Sequence, residues 1–193
     1  MKKTMTLIVS LALAVAIGIG GTLAYLTDKS VTLTNTFTVG GLGITLDEPA
    51  WKDNAKIVPG AEIEKDPTVT VEANSEASYV FIKVTVDEAI TAVLAENGIN
   101  YNTATDEWIK LDNASGVATN EVVYYKAVEA TEGSEVKLTP LFTTVTIDED
   151  AANAAITAAD GKNIVVVAYA IQQAGFENNV AGAWTTVLAA ATA

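Results

Sequence analysis

A chain of 193 residues, 50% of them hydrophobic, is long enough to bury one ordinary core and too apolar to be globally disordered. Its formal charge of −13 repels nucleic acid and anionic membrane and favours solubility. There is no Cys, no His and no Arg, which excludes disulfides and thiolate nucleophiles and removes the commonest metal ligand and general base.

In chain order, Met1-Lys2-Lys3 is a short positive start, and Met5 to Gly21 is apolar or small apart from Thr6 and Ser10. Thr22-Leu23-Ala24 then sets small residues at the third and first positions before a cut. This is the three-part layout of a secretory signal peptide over residues 1–24, cleaved between Ala24 and Tyr25. The run is close to the ~20 residues that span a bilayer, so a membrane anchor is the rival reading. Gly18-Ile19-Gly20-Gly21 makes a poor membrane helix, and no charged stop-transfer patch follows. Membrane contact is therefore expected only before cleavage. Loss of Lys2 and Lys3 leaves the mature form two units more negative.

Beyond Ala24 the pattern has period two. Val31, Leu33, Phe37 and Val39 alternate with threonines, although the alternation breaks at Thr34-Asn35-Thr36. Leu42, Ile44 and Leu46 follow, then Val69 and Val71. From Tyr79 to Val86, Val80, Ile82, Val84 and Val86 share one face, and Tyr79, Phe81, Lys83 and Thr85 share the other. Trp108 to Leu111, Val122 to Val128, and Val145 with Ile147 are further strands. Ile164 to Ile171 is almost continuously apolar and predicts a central strand covered on both faces. Pro59-Gly60, Asp66-Pro67, Asn97-Gly98, Ser115-Gly116, Glu132-Gly133 and Asp160-Gly161 punctuate the series. Short helices are predicted over Asp87 to Asn97 and Asp148 to Ala159, each with an acidic start, and over the Ala-rich tail from Val180 to Ala190. The expected fold is all-β, a jelly-roll-like β-sandwich with short helices in its connections. It divides into a signal peptide (1–24), an N-terminal strand that is a candidate donor (25–40) and one domain (41–193).

Candidate chemistry is sparse. The serines have no His base and no nucleophile elbow, and Ser75 and Ser78 fit a polar turn. Lys83 reads as a solubilising side chain on an exposed strand face. Asp47-Glu48, Asp106-Glu107 and Asp148-Glu149-Asp150 lack EF-hand spacing and read as solvated charge, the last as a helix N-terminus. No cofactor is expected. An all-carboxylate site would suit Ca²⁺, weakly, better than Zn²⁺. Trp51, Trp108 and Trp184 read as core or rim packing rather than a carbohydrate platform. Tyr25 to Val39, by contrast, is an alternating Thr-rich segment freed by cleavage, with little charge beyond Asp28 and Lys29. Without the charge or Pro that protects an edge, it suits addition to another subunit's sheet. Pairing within its own domain would bury the same face.

Gly20-Gly21-Thr22-Leu23-Ala24-Tyr25-Leu26-Thr27-Asp28 resembles the junction cut by SipW-type signal peptidases. Asn35-Thr36-Phe37-Thr38-Val39-Gly40, Leu42-Gly43-Ile44-Thr45-Leu46 and Val58-Pro59-Gly60 are similar to the TasA/camelysin family. That resemblance is good over residues 1–86 and looser beyond. It implies a jelly-roll subunit exported by Gram-positive bacteria, one that polymerises with itself into biofilm-matrix fibres by N-terminal strand exchange and meets other matrix proteins there. Camelysin-type relatives are also described as cell-surface metalloendopeptidases, but a zincin needs two His and this chain has none. The expectation is a secreted, non-enzymatic fibre subunit whose assembly strand is Val31, Leu33, Phe37 and Val39. The alternative is a monomeric module binding carbohydrate or protein.

Overall fold

A computed structural model of the chain describes residues 27–30, 41–52, 55–104 and 107–192, with only the backbone at 27–30 and 192. Eleven strands are present among them: β1 (Thr27–Ser30), β2 (Ile44–Asp47), β3 (Glu62–Glu64), β4 (Thr68–Val71), β5 (Ser78–Val86), β6 (Leu94–Ile99), β7 (Ile109–Lys110), β8 (Glu121–Val128), β9 (Val136–Lys137), β10 (Thr144–Ile147) and β11 (Ile164–Gln172). Three helices join them: α1 (Glu88–Thr91), α2 (Asn153–Ala159) and α3 (Val180–Thr192). All strand pairs are antiparallel. They form a five-stranded sheet in the order β1-β11-β5-β8-β7 and two three-stranded sheets, β3-β10-β6 and β2-β4-β9. The mostly β reading, with short helices between strands, is met.

The large sheet is a middle layer. On one face Val80, Ile82 and Val84 of β5, Tyr124 of β8 and Ala168 and Ala170 of β11 pack against Ile44, Val69, Val71, Ile99 and Val145 of the two smaller sheets. On the other, Tyr79, Phe81, Val123, Tyr169 and Ile171 pack against Ala183, Trp184 and Val187 of α3. The division of β5 into two apolar faces follows the alternation in its sequence. Burial of both faces explains the apolar run of β11 over Ala168–Ile171, where the strand lies between β1 and β5. A third cluster, Ile90, Val93, Ile147 and Ala159, closes one end beneath α1 and α2.

Four expectations need correction. The helix expected to Asn97 ends at Thr91, and the chain continues as β6. Asp87 caps α1 by accepting from the Ala89 N–H at 2.9 Å, but Val93 is fully buried and its carbonyl accepts from Asp148, which pulls the next residues into a sheet. The Asp148 carboxylates do not start a helix: α2 begins at Asn153 with no acidic residue in its first turn. Asp148 Oδ1 instead accepts from the Asp150 N–H at 2.8 Å, a local turn before the helix. Lys83 is not a free surface charge, since its ammonium meets Glu121 at 2.8 Å with both side chains largely buried. Ser75 lies in the connection between β4 and β5, but Ser78 opens β5 rather than standing in the turn, and both are buried. Ser75 Oγ accepts from the Gly43 N–H at 3.3 Å, while Ser78 Oγ has no hydrogen-bond partner.

Candidate functional site

Of the expected site residues, Ala24, Tyr25, Val31, Leu33, Phe37 and Val39 all lie outside the described residues. The described part of the N-terminal segment is β1, and its partner is in the same chain. Thr27 lies opposite Ile171, Asp28 opposite Ala170, Lys29 opposite Tyr169 and Ser30 opposite Ala168. β11 is nine residues long and pairs with β5 over its whole length, but β1 covers only its last part. Along Ile164 to Val167, no described strand pairs with the side of β11 away from β5. Val165, in that stretch, is 48% exposed. A β-branched edge without Pro or charge of its own is a template for a further strand.

A second feature was not foreseen. A cavity of about 600 Å³ opens between β3, β10, α1, α2 and the start of β11. Ile63, Ile90, Ile147, Ile156 and Ile164 line it, and Trp51 and Val58, both substantially exposed, stand among the lining residues. Among the described lining residues, Lys56, Lys65 and Lys162 stand with one carboxylate, Asp160. Lys65 is fully engaged: its ammonium meets both Glu48 oxygens at 2.7 Å and lies 4.9 Å from the Trp51 ring centroid. Lys162 is held loosely, 3.9 Å from Asp87 with both side chains well exposed. Lys56 is exposed and forms no ion pair among the described residues. The sequence signal was the nearness of Lys56 and Lys65 in an otherwise acidic chain, but only folding brings Lys162 to the same cavity.

The carboxylates are used structurally. Glu107 accepts from Lys126 at 2.9 Å and Thr139 at 3.1 Å, and these bonds hold its pKa below the ordinary carboxylate value. Burial works to raise that of Glu121, but bonds from Lys83, the Ala118 N–H and Thr85 outweigh it and the net shift is downward. Burial raises the phenol pKa of Tyr101, Tyr124 and Tyr169. Among the described residues no three His, Cys, Asp or Glu side chains converge on a common point. Trp108 and Trp184 are buried, each donating its indole N–H to a backbone carbonyl at 2.9 Å, so the tryptophans share no surface.

An antiparallel β-sandwich backed by α3, with a sheet edge at β11 and an apolar cavity among its described residues, defines an all-β protein whose buried and half-buried lysines are held by carboxylates. The model of the family described as camelysin metallo-endopeptidase matches residues 1–129, and the chain belongs to that family. The family is associated with extracellular or cell-surface proteins. No curated protein and no solved structure matches the chain. No helix among the described residues is long and apolar enough to cross a membrane. The metal implied by the family's description does not fit the residues present: His and Cys are absent from the whole chain, and the described carboxylates that gather do so with lysines.

Proposed function

We propose that the mature chain is a structural subunit of an extracellular or cell-surface fibre of the biofilm matrix, joined to its neighbours by exchange of the N-terminal strand. In this reading a SipW-type signal peptidase removes residues 1–24, which frees Tyr25 and everything up to Val39. The single observation that supports it most is β1 itself, a four-residue edge strand on a nine-residue partner. Exchanging it for the same strand of a neighbour recreates every contact the monomer loses, so the exchange costs little beyond association. Along Ile164 to Val167 this side of β11 has no partner among the described strands, and that is where an incoming strand longer than β1 would add backbone bonds. A neighbour's strand that enters in the β1 register and continues past Ser30 would set its Val31 opposite Val167 and its Leu33 opposite Val165.

The test combines electron microscopy of the purified mature protein with thermal melting of the monomer. Deleting residues 25–39 is expected to abolish filaments while the remaining domain still melts cooperatively. Phe37→Ala is expected to weaken each contact about a hundredfold or more, from the ~3–5 kcal/mol that truncating a buried Phe removes. Filaments that persist in the deletion variant would sink strand exchange. A second reading, a monomeric secreted binding module, is favoured by the apolar cavity, and a monomeric sedimentation profile at high concentration would support it over the fibre.

A further inference from the structure

We infer that the cavity between β3, β10, α1 and α2 is a binding site for a free long-chain carboxylic acid, a role separate from fibre assembly. The apolar wall is built from isoleucines on five different elements, so it is a consequence of the fold and not of one mobile loop. A volume of about 600 Å³ is in the range that holds small ligands. An apolar chamber alone would take any greasy molecule; the charge of its lining selects further. In a chain of formal charge −13, three lysines meet at one cavity against one aspartate among the described lining residues. Lys65 is satisfied by Glu48 and Trp51 and serves to hold the wall. Lys56 and Lys162 have capacity left, because one has no ion-pair partner among the described residues and the other has a distant one. Two available ammonium groups beside an apolar chamber match a molecule with an apolar body and a single anionic head. An amphiphile with a cationic head meets repulsion at the same place. The lysines stay in water while the chain enters the cavity, so no unpaired charge is buried.

The probe is dodecanoate below its micellar concentration, titrated calorimetrically into the mature protein, with dodecanol and dodecyltrimethylammonium as matched uncharged and cationic chains. Saturable one-to-one binding of dodecanoate is expected, with the other two at least about tenfold weaker. The exposed pair Lys56→Gln and Lys162→Gln is expected to weaken dodecanoate by about tenfold or more with little change in the melting temperature, since neither lysine packs into the core and the Lys162–Asp87 pair is long and exposed. Trp51 emission should shift on binding, since Trp108 and Trp184 are already buried. Equal affinity for dodecanoate and dodecanol overturns the proposal, as does unchanged binding in the double variant. Lysine-dependent sedimentation with phosphatidylglycerol vesicles, without saturable dodecanoate binding, overturns it in favour of a membrane surface.

Discussion

Glu121 shows what an acidic chain does with its few cations. It accepts from Lys83, from Thr85 and from the Ala118 N–H, tying three separate points of the chain to one carboxylate. Its pKa, like that of Glu107, is lower in the folded chain than in the unfolded one. The unfolded state therefore binds protons first as the pH falls. The stability from these pairs is complete above the ordinary carboxylate value of ~4.3 and is lost as pH drops through the folded values. Glu121→Gln is expected to cost about 1–3 kcal/mol at pH 6 and progressively less as the pH falls through the folded value, where the wild-type carboxylate itself takes up a proton. Chemical denaturation of both proteins across that range measures it; a difference independent of pH would show that the pair contributes no proton linkage. At this scale the sequence was only partly legible. The burial of Trp108 and Trp184 agrees with reading them as packing residues, Trp108 at the head of an expected strand and Trp184 in the expected helical tail, while the Lys83–Glu121 pair was not readable. Thirty-eight residues separate its members, and no local pattern records a cross-strand meeting of that kind.

The elements were more legible where period two runs for long enough. β5, β8 and β11, each eight or nine residues long, stand where the alternation or continuous apolar run placed them. β3 and β9 have three and two residues, too few to show a period. β6 failed for a different reason. Acidic start, apolar spacing and Asn97-Gly98 imitate a capped helix, yet tertiary pairing with β10 overrides that propensity after one turn. The register slips there, since Val145 faces Ile99 while Ile147 faces Leu94, and Asn97 takes up the slack at φ 56°. Gly98 is the residue this bulge cannot do without. A Cβ there would lie 2.6 Å from the Thr146 carbonyl oxygen and 3.0 Å from the Ala95 backbone, none of which can swing aside. Gly98→Ala is expected to destabilise by about 1–3 kcal/mol, seen as a lower urea midpoint at unchanged slope. An unmoved midpoint would mean that β10 does not approach β6 as closely as described.

At the scale of the whole molecule, the question is whether β1 stays home. Among the described residues it is held by four residues of ladder with β11 and by the neighbouring β2 and α3. None of this distinguishes a permanent edge strand from one that trades places with a neighbour's, because exchange reproduces the same pairing between different copies. Sequence could not decide it either, since both arrangements bury the same face of the N-terminal segment. A covalent lock separates them. Ser30 and Ala168 are opposite partners in the ladder, and opposite Cα atoms on antiparallel strands lie about 4.5–5.5 Å apart, within disulfide reach. The chain has no Cys, so a Ser30→Cys/Ala168→Cys pair can only bond with itself or with its counterpart in another subunit. Oxidised as a dilute monomer, the variant is expected to keep β1 at home, melt no lower than its reduced form and form no filaments when concentrated. Reduction should restore filaments to the wild-type level. Oxidation after assembly should instead yield subunits linked in a ladder on a non-reducing gel, because the thiol introduced on β1 of each subunit then faces the thiol introduced on β11 of the next. Filaments from the locked monomer would remove strand exchange as the mechanism and leave a fibre, if one forms, to lateral contacts between intact sandwiches.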